Sequence, residues 1–357
     1  FTAVSGNGYF INTTSGAITV TLPAGNSGDI VSLADYTNTW QTNNVTVTPN
    51  GTDKIGGINS NATLATEGQS VTLVYVDSTE GWKNVQDSTS NVTGFTGITA
   101  TGGTITTCGD FKIHTFTSPG TFCVSALSNN PTYNSVSYLV VAGGGGNYGG
   151  PGIGSGGGGG GGYRESKTSY DTYSASPLAA SGGSPVSVSA YPITIGAGGG
   201  TSNGSPTSAL SITSTGGGAG QPRPNPGSTG GSGGGGGDFS GASGGAGNTP
   251  PVSPPQGNPG FAGSPGEAAG GGGGAGSGGP AGTQSAAPGV GTPTSISGVA
   301  ITHAAGGDGE GPGNSNVSAP IRNAGGHGMG SGGTFPGSPT PDASAKAGVV
   351  VIRYKYQ

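Results

Sequence analysis

Hydrophobic and polar residues alternate near the two ends of this chain, and the alternation is lost between them. Ile18, Val20 and Leu22 alternate with Thr19 and Thr21, and Val45 and Val47 alternate with Thr46 and Thr48. In 70–77, Val71, Leu73 and Tyr75 share one face, while Val74 and Val76 make the other face apolar too. A period of two is the strand signature, so residues 1–88 read as a small β-sandwich or meander. Turn residues fall between the runs, at 26–28, 50–51 and 56–57. Trp40 and Trp82 read as core plugs of this module, ahead of a sugar-stacking role. Residues 89–104 read as a connector, and 105–142 return to strands, with Ser118, Pro119 and Gly120 as a turn between two of them. The apolar runs 136–142 and 349–354 read as strands buried on both faces. Pairing of the two would close everything between them into one domain and bring the C-terminus back to its entrance. No ten-residue stretch has a helical period, so almost no α-helix is expected.

The stretch between those runs, 142–348, is organised by glycine. The chain has 83 glycines in 357 residues, and runs fall at 143–146, 156–162, 216–218, 233–237 and 270–274. Glycine is a poor helix former and is depleted in strands, because ordering it costs the most backbone entropy. The conformation open to it is the left-handed extended helix with three residues per turn, whose N–H and C=O groups point outward. Several such helices, bare of side chains, can lie side by side and satisfy one another's amides. That is polyglycine II packing, and it is the fold expected here: mainly β, with a glycine-rich domain of packed polyglycine II helices closed by β-strands. A collagen reading fails, since the triplet from Gly257 to Gly266 lasts only about four repeats and then breaks at Ala268 and Ala269. A flexible linker would be far shorter and would lack the bulky interruptions Tyr163, Phe239, Phe261 and Phe335. Two short β-like pieces, 191–195 and 294–301, lie inside the stretch.

Charge and chemistry narrow the function. Net charge is −5 with no basic run, which argues against nucleic acid and anionic membranes as partners. No apolar run is long enough to span a bilayer, and no signal peptide is visible. The start at Phe1 reads as the processed or ordered part of something longer. His114, His303 and His327 have no ligand spacing, and Asp308 with Glu310 reads as turn acids, so no metal is expected. The glycine runs lack the Gly-Lys-Ser/Thr of a phosphate loop, so no nucleotide or other cofactor is expected. Acidic residues are few and scattered, and no Ser/His/Asp cluster is suggested, so the chain does not read as an enzyme. Cys108 and Cys123 are a disulfide candidate across a hairpin.

Ordered landmarks carry a resemblance. They are 103–107, 113–122, the run Tyr138 to Gly146, the run Gly160 to Glu165, 193–200, 294–298 and the closing run Gly348 to Tyr354. In this order the residues resemble the glycine-rich domain at the C-terminal end of bacteriophage tail-fibre proteins. Residues 8–23 and 69–77 look like a β-module of marine, cyanophage-type tail fibres. The glycine region is similar in kind to the receptor-binding adhesins of T-even long tail fibres, though with fewer uninterrupted glycine runs and more prolines. The resemblance implies a three-part layout: a tail-fibre module at 1–88, a connector at 89–104 and a receptor-binding tip at 105–357. It implies a virion protein at the distal tail fibre, with other fibre subunits as partners and a homotrimer as the assembly. Its target would be a bacterial, cyanobacterial-type surface glycan or outer-membrane protein. The runner-up readings are a structural or ice-binding polyglycine protein and a polysaccharide-degrading spike.

On a chemically blank bundle, contact would fall to the loops. Their aromatic and charged residues are the candidates: Tyr148, Tyr163, Arg164, Tyr170, Tyr173, Arg223, Phe239, Phe261, Arg322, His327 and Phe335. The loop 164–185, carrying Tyr170 and Tyr173, is the leading one.

Overall fold

The computed structural model describes residues 1–88, 95–148, 154–238, 241–265, 268–279, 287–309, 326–332 and 344–357. They form two units, Phe1–Gly94 and Phe95–Gln357.

The first unit is a two-sheet sandwich. Its strands are β1 (Asn7–Ile11), β2 (Ile18–Thr21), β3 (Ile30–Asp35), β4 (Val45–Thr48), β5 (Ala62–Leu64), β6 (Ser70–Tyr75) and β7 (Trp82–Ser88). One sheet has the order β1-β3-β6-β7 and the other β2-β4-β5. The first strand of each sheet is paired in parallel, β1 with β3 and β2 with β4. Burial alternates residue by residue in β3, β4 and β6, as the sequence period requires. Val31, Leu33, Val71 and Leu73 of one sheet face Val20, Val45, Val47 and Leu64 of the other. Trp40 and Trp82 are both fully buried in this core, in keeping with their reading as core plugs. The Trp40 indole N–H donates to the Ile11 carbonyl at 3.3 Å.

The second unit is a β-frame from which a glycine bundle projects. Its strands begin with β8 (Thr99–Thr101), β9 (Thr104–Cys108), β10 (Phe111–Phe116), β11 (Gly120–Ala126), β12 (Ser135–Val141) and β13 (Tyr163–Lys167). They continue with β14 (Ala180–Ser181), β15 (Ser184–Pro185), β16 (Ser189–Ile193), β17 (Thr207–Ala209), β18 (Ile212–Ser214), β19 (Thr292–Thr294), β20 (Ile301–His303) and β21 (Val349–Lys355). The main sheet has the order β14-β13-β12-β21-β10-β9, with β15 also on β12. The two apolar runs pair as expected: β12 and β21 are antiparallel, from Ser137 opposite Arg353 to Val141 opposite Val349.

Both strands are buried on both faces because each face has its own core. On one face Val136, Tyr138, Val140, Val350 and Ile352 pack with Ile98, Phe116, Phe122 and Ile193. On the other, Leu139, Val141, Val349 and Val351 pack with Ile113, Tyr163, Tyr173 and Ile296. His114, fully buried, bridges the frame. Its Nδ1–H donates to the Gly102 carbonyl at 2.7 Å, which leaves Nε2 to accept from the Tyr354 hydroxyl at 3.0 Å. Burial pushes the Tyr354 phenol up to about 12.

Three expectations are revised. The connector 89–104 divides: 89–94 lie outside the described residues, while Ile98 and Ala100 are buried in the frame core and β8 pairs with β11. The run 294–301 is not one strand but the bend of a hairpin, β19 on β20, with Gly298 at φ +95°. Cys108 and Cys123 are free thiols. Cys108 ends β9 in the main sheet, and Cys123 lies in the separate β8-β11-β16 sheet, so the turn at 118–119 joins two sheets and brings no cysteines together. Among the described residues there is no α-helix, only a 3-10 turn at Pro131–Tyr133.

Candidate functional site: the far end of the glycine bundle

The bundle is built around residues 156–162, every one of them buried. Their amides repeat with a period of three. Gly157 and Gly160 donate to Gly270 and Gly273, Gly158 and Gly161 to Ser331 and Gly328, and Gly159 and Gly162 to Gly218 and Thr215. Their carbonyls accept on the remaining sides. Ala142 and Gly145 bond to Gly162 and Gly159, Ser232 and Gly235 to Gly160 and Gly157, and Gly307 to Gly158. This is the polyglycine II pattern: a three-residue repeat whose polar groups are satisfied only by neighbouring segments. None of Gly156–Gly162 has a positive φ.

Side chains are excluded by contact. A Cβ on Gly158 would lie 2.0 Å from the Gly145 carbonyl oxygen, and one on Gly235 would lie 1.8 Å from that of Gly270. The whole run 233–237 meets backbone atoms in this way, so these residues are interior and not a loop.

The segments run away from the β-frame and back, which gives the bundle two ends. At the far end, Tyr148 donates its amide to Gly220, Gln221 to Gly235, Gly237 to Asn225, and Gly263 to Ala242. These bonds place Tyr148, Gln221, Gly237 and Gly263 side by side. Tyr148 and Arg223 stand exposed there. Asp238 is buried beside them; burial pushes its carboxyl up, opposed by the Arg223 guanidinium.

The structure thus splits the candidate residues. Tyr148 and Arg223 share the far end, and Phe261 lies half-buried one step below it, its ring against Gly279. Phe239, Arg322 and Phe335 lie outside the described residues. The others sit at the frame end. Arg164 is half-buried in β13 opposite Val140. Tyr163 is buried, its hydroxyl donating to Glu165 Oε2 at 2.7 Å. Tyr170 donates to the Ser135 carbonyl and packs edge-on against Tyr133.

Tyr173 is buried and Tyr170 half-buried, so in the loop 164–185 these two rings wedge against the frame and do not stand free for contact. What holds it was not foreseen from sequence. Glu165 accepts from Tyr163, the Ser176 amide and the Thr294 hydroxyl, while Asp171 pairs with Arg353 at 2.8 Å with both side chains buried. The available signal was Arg353, a charge inside an otherwise apolar strand, which needs a buried partner.

His327 is also at the frame end. Its ring stacks on buried His303 at 5.9 Å, and its amide donates to His303 Nδ1 at 3.1 Å. Nδ1 therefore accepts, and His303 is neutral. Burial first, and His327 second, hold His303 down at about 3. Burial, aided by Lys346, also lowers His327. A histidine held below its unfolded value stabilises the fold above that value, and the stability is lost as pH falls through it. Acidification from pH 7.5 to 5 is expected to cost the second unit about 2 kcal/mol through His303 alone. Denaturant titrations at the two pH values check this, with His303→Asn flattening the dependence. An unchanged slope in that variant would remove His303 from the account. Among the described residues, no group of three or more His, Cys, Asp or Glu side chains is placed to hold a metal ion.

Fold and bundle together define a glycine-rich domain mounted on a β-sheet frame. The profile of the family described as Glycine-rich domain matches residues 117–355, and the chain belongs to that family. No curated protein matches the sequence.

Proposed function

We propose that this protein is an attachment protein: the distal tip of a bacteriophage tail fibre, which recognises a bacterial surface through the turns at the far end of its glycine bundle. One observation supports the reading most directly. The central run 156–162 is backbone alone, and the hydrogen bonds around it hold exposed Tyr148 and Arg223 on one end surface. A rigid, chemically blank core with clustered turns suits recognition, where contact is made by residues that the scaffold holds still. Tyrosine and arginine are the residue types that most often dominate binding interfaces. The reading is a binding one and not a catalytic one. Its target is a surface glycan or outer-membrane protein of a cyanobacterial host, and the fibre is a homotrimer in the virion.

The test is binding of the purified chain to a panel of cyanobacterial strains, with light scattering for mass. Strain-selective binding is expected, and Tyr148→Ala with Arg223→Ala should weaken it about thirtyfold or more at unchanged melting temperature. Exchange of residues 221–227 should change which strains are bound. Binding left intact by both changes would remove the far end as the contact surface. A three-chain mass fits a trimeric tip, whereas a single-chain mass fits a monomeric adhesin on a separate shaft.

A further inference from the structure

The first unit contains a cleft that follows from the sequence of its edge strand. In β7, Trp82 lies opposite Tyr75, Asn84 opposite Leu73 and Asp87 opposite Val71. Cross-strand partners share a face, so Asn84 and Asp87 lie on the side that Leu73 and Val71 turn to the core. An irregularity between Thr72 and Leu73 shifts the register and brings Asp87 onto that side. The core side of β7 therefore changes from indole to amide to carboxylate along the strand. An amide and a carboxylate do not seal an apolar core, and a cleft of about 330 Å³ lies between β7 and β5. That is within the usual range of small-molecule sites, ~300–1,000 Å³.

The cleft has an apolar floor and a polar rim. Val47, Leu64, Val71 and Leu73 form the floor, with Asn84 and Asp87 at the side. Trp82 and Gln69 also line it, and each has a polar atom without a partner: the Trp82 indole N–H, in a fully buried side chain, and Gln69 Oε1, in a residue 9% exposed. The Gln69 amide nitrogen is already committed to Asp87 at 3.3 Å, so Oε1 is the free end. Native proteins leave few buried polar groups unpaired, and such groups mark places where a ligand can supply the missing bond.

We propose that this cleft binds a neutral sugar ring, either free or as the exposed residue of a glycan. The chemistry selects it. The walls offer a donor in Trp82, an acceptor in Gln69, an anionic acceptor in Asp87 and the amide of Asn84, whose Oδ1 already accepts from the Gln86 N–H and whose nitrogen can donate. Hydroxyl groups both donate and accept, so one kind of group serves all four. The C–H face of the ring covers the floor. An anion would be repelled by Asp87, an inorganic cation would leave the indole donor unpaired, and a wholly apolar ligand would strand every polar wall group. The cleft lies within the first unit and shares no residue with the bundle turns, so binding here succeeds or fails independently of the attachment reading.

The test uses the full chain and the two tryptophan indole N–H signals in ¹H–¹⁵N spectra. The probes are glucose, galactose, mannose and N-acetylglucosamine, their methyl glycosides, and inorganic phosphate as the anion control. At least one neutral sugar should shift the Trp82 signal saturably, while that of Trp40, already bonded to Ile11, stays in place. Trp82→Phe assigns the signals, or Trp40→Phe where the former does not fold. Asp87→Ala and Asn84→Ala, both at exposed positions of β7, should each weaken binding about tenfold at unchanged melting temperature. Equal binding of the methyl glycoside identifies a glycan end; binding of the reducing sugar alone identifies a free sugar. The proposal is overturned by no shift of Trp82 up to about 100 mM of any probe sugar, by a shift with phosphate alone, or by unchanged affinity in both variants.

Discussion

Gly158→Ala is expected to destabilise the second unit by about 3 kcal/mol or more, although it adds a single methyl group. The added carbon would lie 2.0 Å from the carbonyl oxygen of Gly145 and 2.6 Å from its carbon. A flexible side chain could rotate away from such a contact, but a backbone carbonyl cannot move without its neighbours. Gly145 itself donates to Gly159, and Ser331 donates to Gly145, so a shift there loosens a bond back to the run 156–162 and another to a further segment. The cost is therefore overpacking plus the amides left unpaired in a dry interior. Gly235→Ala should behave alike, since its methyl would meet the Gly270 carbonyl. Gly200→Ala is the control: it sits in an exposed turn with nothing within 4 Å, and the expected change is within about 0.5 kcal/mol. Calorimetry separates the two outcomes, because 3 kcal/mol is a fall of roughly 6–12 °C in a unit of this size. Equal stability of Gly158→Ala and Gly200→Ala would place 156–162 outside the interior.

Why the bundle was legible and its surroundings were not has a physical cause. Polyglycine II packing is written in composition: a run such as 156–162 can bury itself in no other regular way, so its role follows from residue type alone. The strand pair β12–β21 was legible for the same reason, since seven nearly continuous apolar residues demand cover on both faces. Tyr163 and Tyr173 were different. Aromatic rings suit a receptor contact and a core equally well, and which one they serve depends on Thr294 and Arg353, which arrive from distant parts of the chain to meet Glu165 and Tyr173. The same holds for Cys108 and Cys123. Their spacing fits a hairpin, but β9 belongs to the main sheet and β11 to another, and sheet membership is a tertiary fact. The candidate surface at the far end was half legible: exposure of Tyr148 and Arg223 follows from their Pro- and Gly-rich surroundings, whereas their common location follows from the pairing of the segments beneath them.

Arg353→Met is expected to cost about 3–5 kcal/mol, as large a loss as any single change in the frame. Arg353 lies in β21 opposite Ser137 on one side and Ile113 on the other, at the centre of the main sheet. Its Nε donates to Asp171 Oδ1 at 2.8 Å, both side chains are buried, and the guanidinium stacks over the Phe111 ring at 4.6 Å. Methionine keeps much of the volume and the contact with Phe111 but strands the Asp171 carboxylate in a dry site. The penalty is that of an uncompensated buried charge, not the net worth of the pair, and the two can be told apart. In the double variant Arg353→Met, Asp171→Leu no charge is left behind, and most of the stability should return. Because Asp171 anchors the wedge 168–178, the single variant should also free Tyr173 from its packing against β21, which amide exchange across that loop would report. Guanidinium titration of the two single variants and the double gives the coupling directly. A loss of no more than about 1 kcal/mol in Arg353→Met would show the pair to be solvated, as surface ion pairs are. The wedge would then owe its place to Tyr163, Glu165 and Thr294 alone.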